Sequence, residues 1–64
     1  MTQTEFEKLS LVDTYRFAGG YTIEVRERED GTFWAGRCIK KKITNILQVR
    51  KCRNGFEAMG AKNG

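Results

Sequence analysis

Residues 21–39 read YTIEVREREDGTFWAGRCI, and the way this stretch folds back on itself decides the fold. Strand-type residues flank Asp30-Gly31, a dipeptide suited to a two-residue hairpin turn. Such a turn needs positive φ at both central positions, which Asp tolerates and Gly adopts freely. With Glu29 opposite Thr32, the facing pairs are Arg28/Phe33, Glu27/Trp34, Arg26/Ala35, Val25/Gly36, Glu24/Arg37, Ile23/Cys38 and Thr22/Ile39. Facing residues share a side of an antiparallel pair. One side then collects Tyr21, Ile23, Val25, Trp34, Gly36 and Cys38 as a core face. The other collects Glu24, Arg26, Arg28, Phe33, Ala35, Arg37 and Ile39, a basic face carrying one aromatic ring.

Toward the N-terminus, Leu9, Leu11, Tyr15 and Phe17 alternate with polar residues, which predicts a strand at about residues 10–17; Val12 breaks the alternation. A three-residue loop at Ala18, Gly19 and Gly20 sets Phe17 opposite Tyr21, Tyr15 opposite Ile23 and Asp13 opposite Val25. A two-residue loop would send both aromatics to the basic face, because a one-residue slip inverts every side chain. Residues 1–8 are irregular or a short helix. Thr4 as N-cap with Glu7 three places on fits a capping box, and Phe6 and Leu9 form the inner side.

Toward the C-terminus, residues 46–53 fit a strand after a loop at 41–44, with Leu47 facing Cys38 and Val49 facing Gly36. A helix capped by Asn45 is the alternative, placing Ile46, Val49, Cys52 and Phe56 on one stripe. Asn54-Gly55 marks another turn, leading to a short edge strand at 56–59, and residues 60–64 read as a mobile tail. The whole is one small domain, residues 1–64, of the all-β class. It is a four- to five-stranded antiparallel meander curling into a small SH3-sized partly open barrel. The alternative is a three-stranded antiparallel sheet with one helix.

A chain of 64 residues buries only about 60% of its unfolded surface, so its stability margin is thin. No apolar run is long enough to span a membrane, and the acidic N-terminus has no apolar segment of the signal-peptide kind. With no His and two Cys, a four-ligand zinc site of Cys and His is impossible within one chain. Cys38 reads as a small buried hydrophobe and Cys52 as outward-facing, so no disulfide joins them. The expected setting is reducing and cytoplasmic.

Charge is unevenly spread. Residues 1–32 carry four basic and seven acidic groups, whereas residues 33–53 carry seven basic groups and no acid. That segment attracts polyanions or an acidic protein surface; a merely solvated edge is the plain alternative. Catalysis finds no support in the motifs: there is no phosphate loop, nucleophile elbow or metal-ligand cluster. Glu27, Glu29 and Asp30 read as solvated turn charges. The expected function is therefore that of a small, non-enzymatic accessory protein that binds DNA or RNA. Its surface would consist of Arg26, Arg28, Phe33, Arg37, Lys40, Lys41, Lys42 and Arg50, with bases stacking on Phe33 and cations meeting phosphates. Against this stands a Phe33 covered by Arg28 in a cation–π contact. Two other classes remain open: a module docking on an acidic protein partner, and a homodimer that closes its own sheet edges. No cofactor is expected.

Residues 20–35, GYTIEVREREDGTFWA, resemble the opening hairpin of HicB-type antitoxins, with a Tyr-bearing first strand, an acidic Asp-Gly tip and an aromatic-x-Ala second strand. The resemblance implies a hairpin at the start of a small sheet and covers about a quarter of the chain. Beyond it a Lys cluster stands where that family carries an acidic, Gly-containing segment, and no clear long helix follows.

Overall fold

The turns after the first three strands are each closed by one or two residues with left-handed backbone, and these turns lay the strands side by side in sequence order. The computed structural model describes residues 1–59; the tail expected at 60–64 lies outside the described residues. A short helix, α1 (Gln3–Glu7), precedes β1 (Ser10–Phe17), β2 (Tyr21–Glu27), β3 (Phe33–Ile39), β4 (Lys42–Cys52) and β5 (Gly55–Ala58). All five strands form one antiparallel sheet in the order β1-β2-β3-β4-β5. The sheet is a curled half-barrel, as an all-β meander predicts, and residues 44–52 are strand rather than helix, with Arg53 already in the turn.

The loop between β1 and β2 has the three-residue form expected. Gly20 N donates to Phe17 O at 3.1 Å, Gly20 takes the left-handed position (φ 87°), and Phe17, Tyr15 and Asp13 face Tyr21, Ile23 and Val25. Val12 falls where the register shifts between Leu11 and Asp13, so the break in alternation marks a β-bulge.

The loop between β2 and β3 takes the same form, and this overturns the two-residue expectation. Gly31 N donates to Arg28 O at 2.9 Å, Arg28 N donates to Thr32 O at 2.8 Å, and only Gly31 has positive φ. Asp30 stays at negative φ because its carboxylate accepts from Thr32 N (3.0 Å) and Thr32 Oγ1 (2.6 Å). The loop is thus Glu29, Asp30 and Gly31, and the register moves by one residue. Ile23 faces Arg37, Val25 faces Ala35 and Glu27 faces Phe33. Phe33, Ala35 and Arg37 therefore join Tyr21, Ile23 and Val25, while Trp34, Gly36 and Cys38 join Glu24 and Arg26.

Between β3 and β4 the expected loop at 41–44 is instead a two-residue turn, with Lys40 at φ 51° and Lys41 at φ 69°. Farther along β4 the pairing shifts between Ala35 and Arg37, and Asn45 adopts φ 54°. This bulge returns Leu47 to Ala35 and Val49 to Phe33, not to Cys38 and Gly36. The last turn is Arg53-Asn54, with Gly55 already paired to Cys52.

The sheet curls around Val25, Ala35 and Val49, which are buried and packed by Tyr15, Ile23, Phe33 and Phe56. Contributions from β1 through β5 make this the concave face. On the convex face, α1 seats the fully buried Phe6 against Gly36 and Ile43. The capping box sits two residues earlier than expected: Thr2 Oγ1 accepts from Glu5 N (3.1 Å) and Glu5 Oε1 accepts from Thr2 N (2.9 Å). Trp34, expected in the core, is half-buried on the convex face, where its indole N–H donates to Thr32 Oγ1 at 2.9 Å.

Candidate nucleic-acid interface

The shifted register divides the basic face read from the sequence. Arg26 is on the convex side and fully engaged: it pairs with Glu24 at 2.9 Å, donates to Leu9 O (2.9 Å) and Glu7 O (3.3 Å), and lies 5.3 Å from the Phe6 ring centroid. It ties the last carbonyl of α1 and one just beyond it to the sheet, a structural task. Arg28 lies on the same side, 6.0 Å from the Trp34 ring rather than over Phe33. Phe33 is half-buried on the concave side and packs against Phe56 with centroids 5.3 Å apart. An exposed Phe33 ringed by Arg26, Arg28 and Arg37 is therefore not what forms. The cause is the extra residue in the Asp30-Gly31 loop. Arg50 is exposed and ion-paired with Glu57.

Four of the eight residues do come together. Arg37 projects from the concave face of β3, and Lys40, Lys41 and Lys42 follow at the exposed turn of the same hairpin. Two rings join them that the sequence reading had placed in the core. Phe17 and Tyr21 stack almost parallel, centroids 4.9 Å apart and planes 12° apart. The Arg37 guanidinium lies 4.7 Å from the Tyr21 centroid. Phe17 remains 45% exposed. No acid occurs in residues 14–23 or 33–53, which supply this end of the sheet. Treating the Asp30-Gly31 loop like the Gly19-Gly20 loop would have set Arg37 beside Tyr21 from sequence alone.

At the other end of the β2–β3 hairpin, the hydrogen bonds from Thr32 hold the Asp30 carboxyl below its ordinary value. Across the concave face, the neighbouring Asp13 carboxylate, supplemented by partial desolvation, pushes the Tyr15 phenol up. Cys38 and Cys52 are both free thiols and half-buried. No group of three or more potential metal ligands occurs among the described residues, and no described helix is long and apolar enough to cross a membrane. No protein-family model, no curated protein and no solved structure matches the chain.

Proposed function

We propose that the protein is a small, non-enzymatic, cytoplasmic module that binds DNA or RNA through the concave end of its sheet, with Arg37, Lys40, Lys41 and Lys42 as phosphate contacts. The observation that carries this reading is the turn itself. Lys40 and Lys41 occupy left-handed positions that Asn-Gly would fill with less strain, and such strain gathers at functional sites. Two exposed cations are held there beside Arg37 and an aromatic pair, in a stretch without acids. Arg28 and Arg50 lie off this surface and add at most to the general field. The two free thiols suit a reducing compartment.

The test is a titration against a labelled single strand and a labelled duplex at two salt concentrations. Binding through phosphates releases counterions, so log K falls with log salt by about 0.7 to 0.9 per phosphate contacted. Replacing Lys41 and Lys42 together with Ala weakens binding to every sequence and flattens that slope by roughly two units. Flat titrations with both nucleic acids would sink the proposal.

A second reading, a module for an acidic protein partner, draws on a different observation. The concave face holds an open groove of about 310 Å³ walled by Tyr15, Phe17, Ile23, Val25, Val49 and Phe56. An apolar trough beside a basic turn suits a protein surface with acidic and apolar parts.

A further inference from the structure

We infer that the nucleic acid taken by this site is single-stranded, and that one unpaired base stacks on the outer face of Phe17. This deepens the reading above and rests on it. Strand order puts Phe17 on β1, Tyr21 on β2 and Arg37 on β3, so Phe17 and Arg37 flank Tyr21 from opposite sides. Tyr21 is held from below as well: a Cβ at Gly19 would lie 3.1 Å from Tyr21 Cε1, so the ring rests against bare backbone. The result is a fixed stack of guanidinium, phenol ring and phenyl ring.

The stack ends in the open. β1 is an edge strand, and among the described residues no strand flanks Phe17 on its far side. A rigid ring backed by another ring is a ready platform for a further planar group, and every nucleobase offers a π-face. A base inside a duplex has both faces covered by its neighbours, so only an unpaired base fits.

The cations lie where the backbone of such a strand would run. Phe17 faces Tyr21, Ile39 faces Lys42, and Tyr21 lies one residue past the Thr22–Cys38 pair, next to Ile39. Phe17, Tyr21, Ile39 and Lys42 therefore form one row across the concave face. From Phe17 to Lys42 is three strand spacings, about 14 Å. A base on Phe17 thus has phosphates of the same strand within reach of Arg37 and Lys42. Phe33, by contrast, already packs against Phe56 and is half-buried.

The experiment compares a labelled oligothymidylate with an abasic strand of the same length, using the full chain and its Phe17→Ala and Phe17→Leu variants. The parent binds the base-bearing strand more tightly than the abasic one. Phe17→Ala loses roughly 5- to 150-fold on the base-bearing strand, the range seen when one stacking ring is removed. Its affinity for the abasic strand and its salt slope stay at the parent's values. Phe17→Leu keeps apolar bulk without a ring and behaves as Phe17→Ala does. Trp34 fluorescence and circular dichroism confirm that the variants fold.

Three results would overturn the inference, each for a different reason. If the parent binds and both variants match it, the phosphate contacts stand alone and stacking is wrong. If Phe17→Leu restores the parent's affinity, the contact is apolar and not a ring stack. If sedimentation shows a dimer of the parent that Phe17→Ala breaks, a second copy covers the ring. A parent that binds neither strand takes the nucleic-acid reading down with it.

Discussion

Phe6 occupies the space that a side chain at Gly36 would take. A Cβ at that position would lie 3.1 Å from Phe6 Cε2 and 2.7 Å from Ile43 Cγ2. The glycine is a notch in the convex face of β3, and through it α1 gains its fully buried anchor. Gly36→Ala overfills this contact and costs about 1–3 kcal/mol. That is a large share of the few kcal/mol a core of this size supplies. Urea denaturation followed through Trp34 fluorescence measures it, and a variant as stable as the parent would show that Ile43 and Phe6 give way to the added methyl without loss.

The Lys40-Lys41 turn trades stability for charge. Replacing the pair with Lys40→Asn and Lys41→Gly relieves left-handed strain at two positions. The melting transition rises by the equivalent of about 1–2 kcal/mol. Affinity for a labelled single strand falls in the same variant, because two cations have gone. A variant that is stabilised and binds as well as the parent would take these lysines out of the interface.

The arginines separate by task. Arg26 uses its fork on Glu24 and on the carbonyls of Glu7 and Leu9. A lysine offers three donors from a single point and cannot span those acceptors. Arg26→Lys therefore costs about 1–3 kcal/mol of stability and leaves nucleic-acid affinity unchanged where the protein is folded. Arg37→Ala does the opposite, lowering affinity with a smaller loss of stability. Denaturation and binding curves on the same two variants decide it; equal losses of affinity would return Arg26 to the interface.

These particular residues show how far the sequence could be read. The hairpin at Gly19-Gly20 was legible because only one loop length keeps Tyr15 and Phe17 with Ile23. The Asp30-Gly31 hairpin was not. Asp-Gly serves a two-residue turn and a three-residue loop equally well, and either choice gives a face that looks plausible. Thr32 settles the matter by bonding to Asp30, an interaction that alternation does not reveal. The strand count, the all-β class and the position of β1 survive this error, because they depend on turn spacing and not on register. The candidate site does not survive it intact. Lys40, Lys41, Lys42 and Arg37 stay together because they are close in sequence, whereas grouping Phe33 with Arg26 and Arg28 needed the register to be right. The bulge at Asn45 was hidden as well, since a non-glycine residue at positive φ leaves little trace in composition.

Acid loosens the α1 cap at Glu5 and the loop at Asp30, which lie near each other at the same end of the β2–β3 hairpin. Glu5 accepts from Thr2 N in the capping box, and that backbone hydrogen bond holds its carboxyl below the ordinary value of 4.5. Asp30 is likewise held below its ordinary 3.8 by the hydrogen bonds from Thr32. In both cases the folded state prefers the ionised form, so the unfolded chain binds protons first as pH falls. The contribution to stability is complete above the ordinary values and is lost as pH drops through the lowered folded ones. Both groups are exposed, so the effect on global unfolding is small and is best read locally, from carboxyl chemical shifts. Thr32→Val removes the side-chain donor, and the Asp30 midpoint rises toward 3.8 while that of Glu5 stays where it was. Thr2→Val removes the hydroxyl that accepts from Glu5 N, so the box loosens and the Glu5 midpoint alone rises toward 4.5. An Asp30 midpoint unchanged by Thr32→Val would mean that Thr32 does not hold this loop, and the three-residue form of the hairpin would lose its explanation.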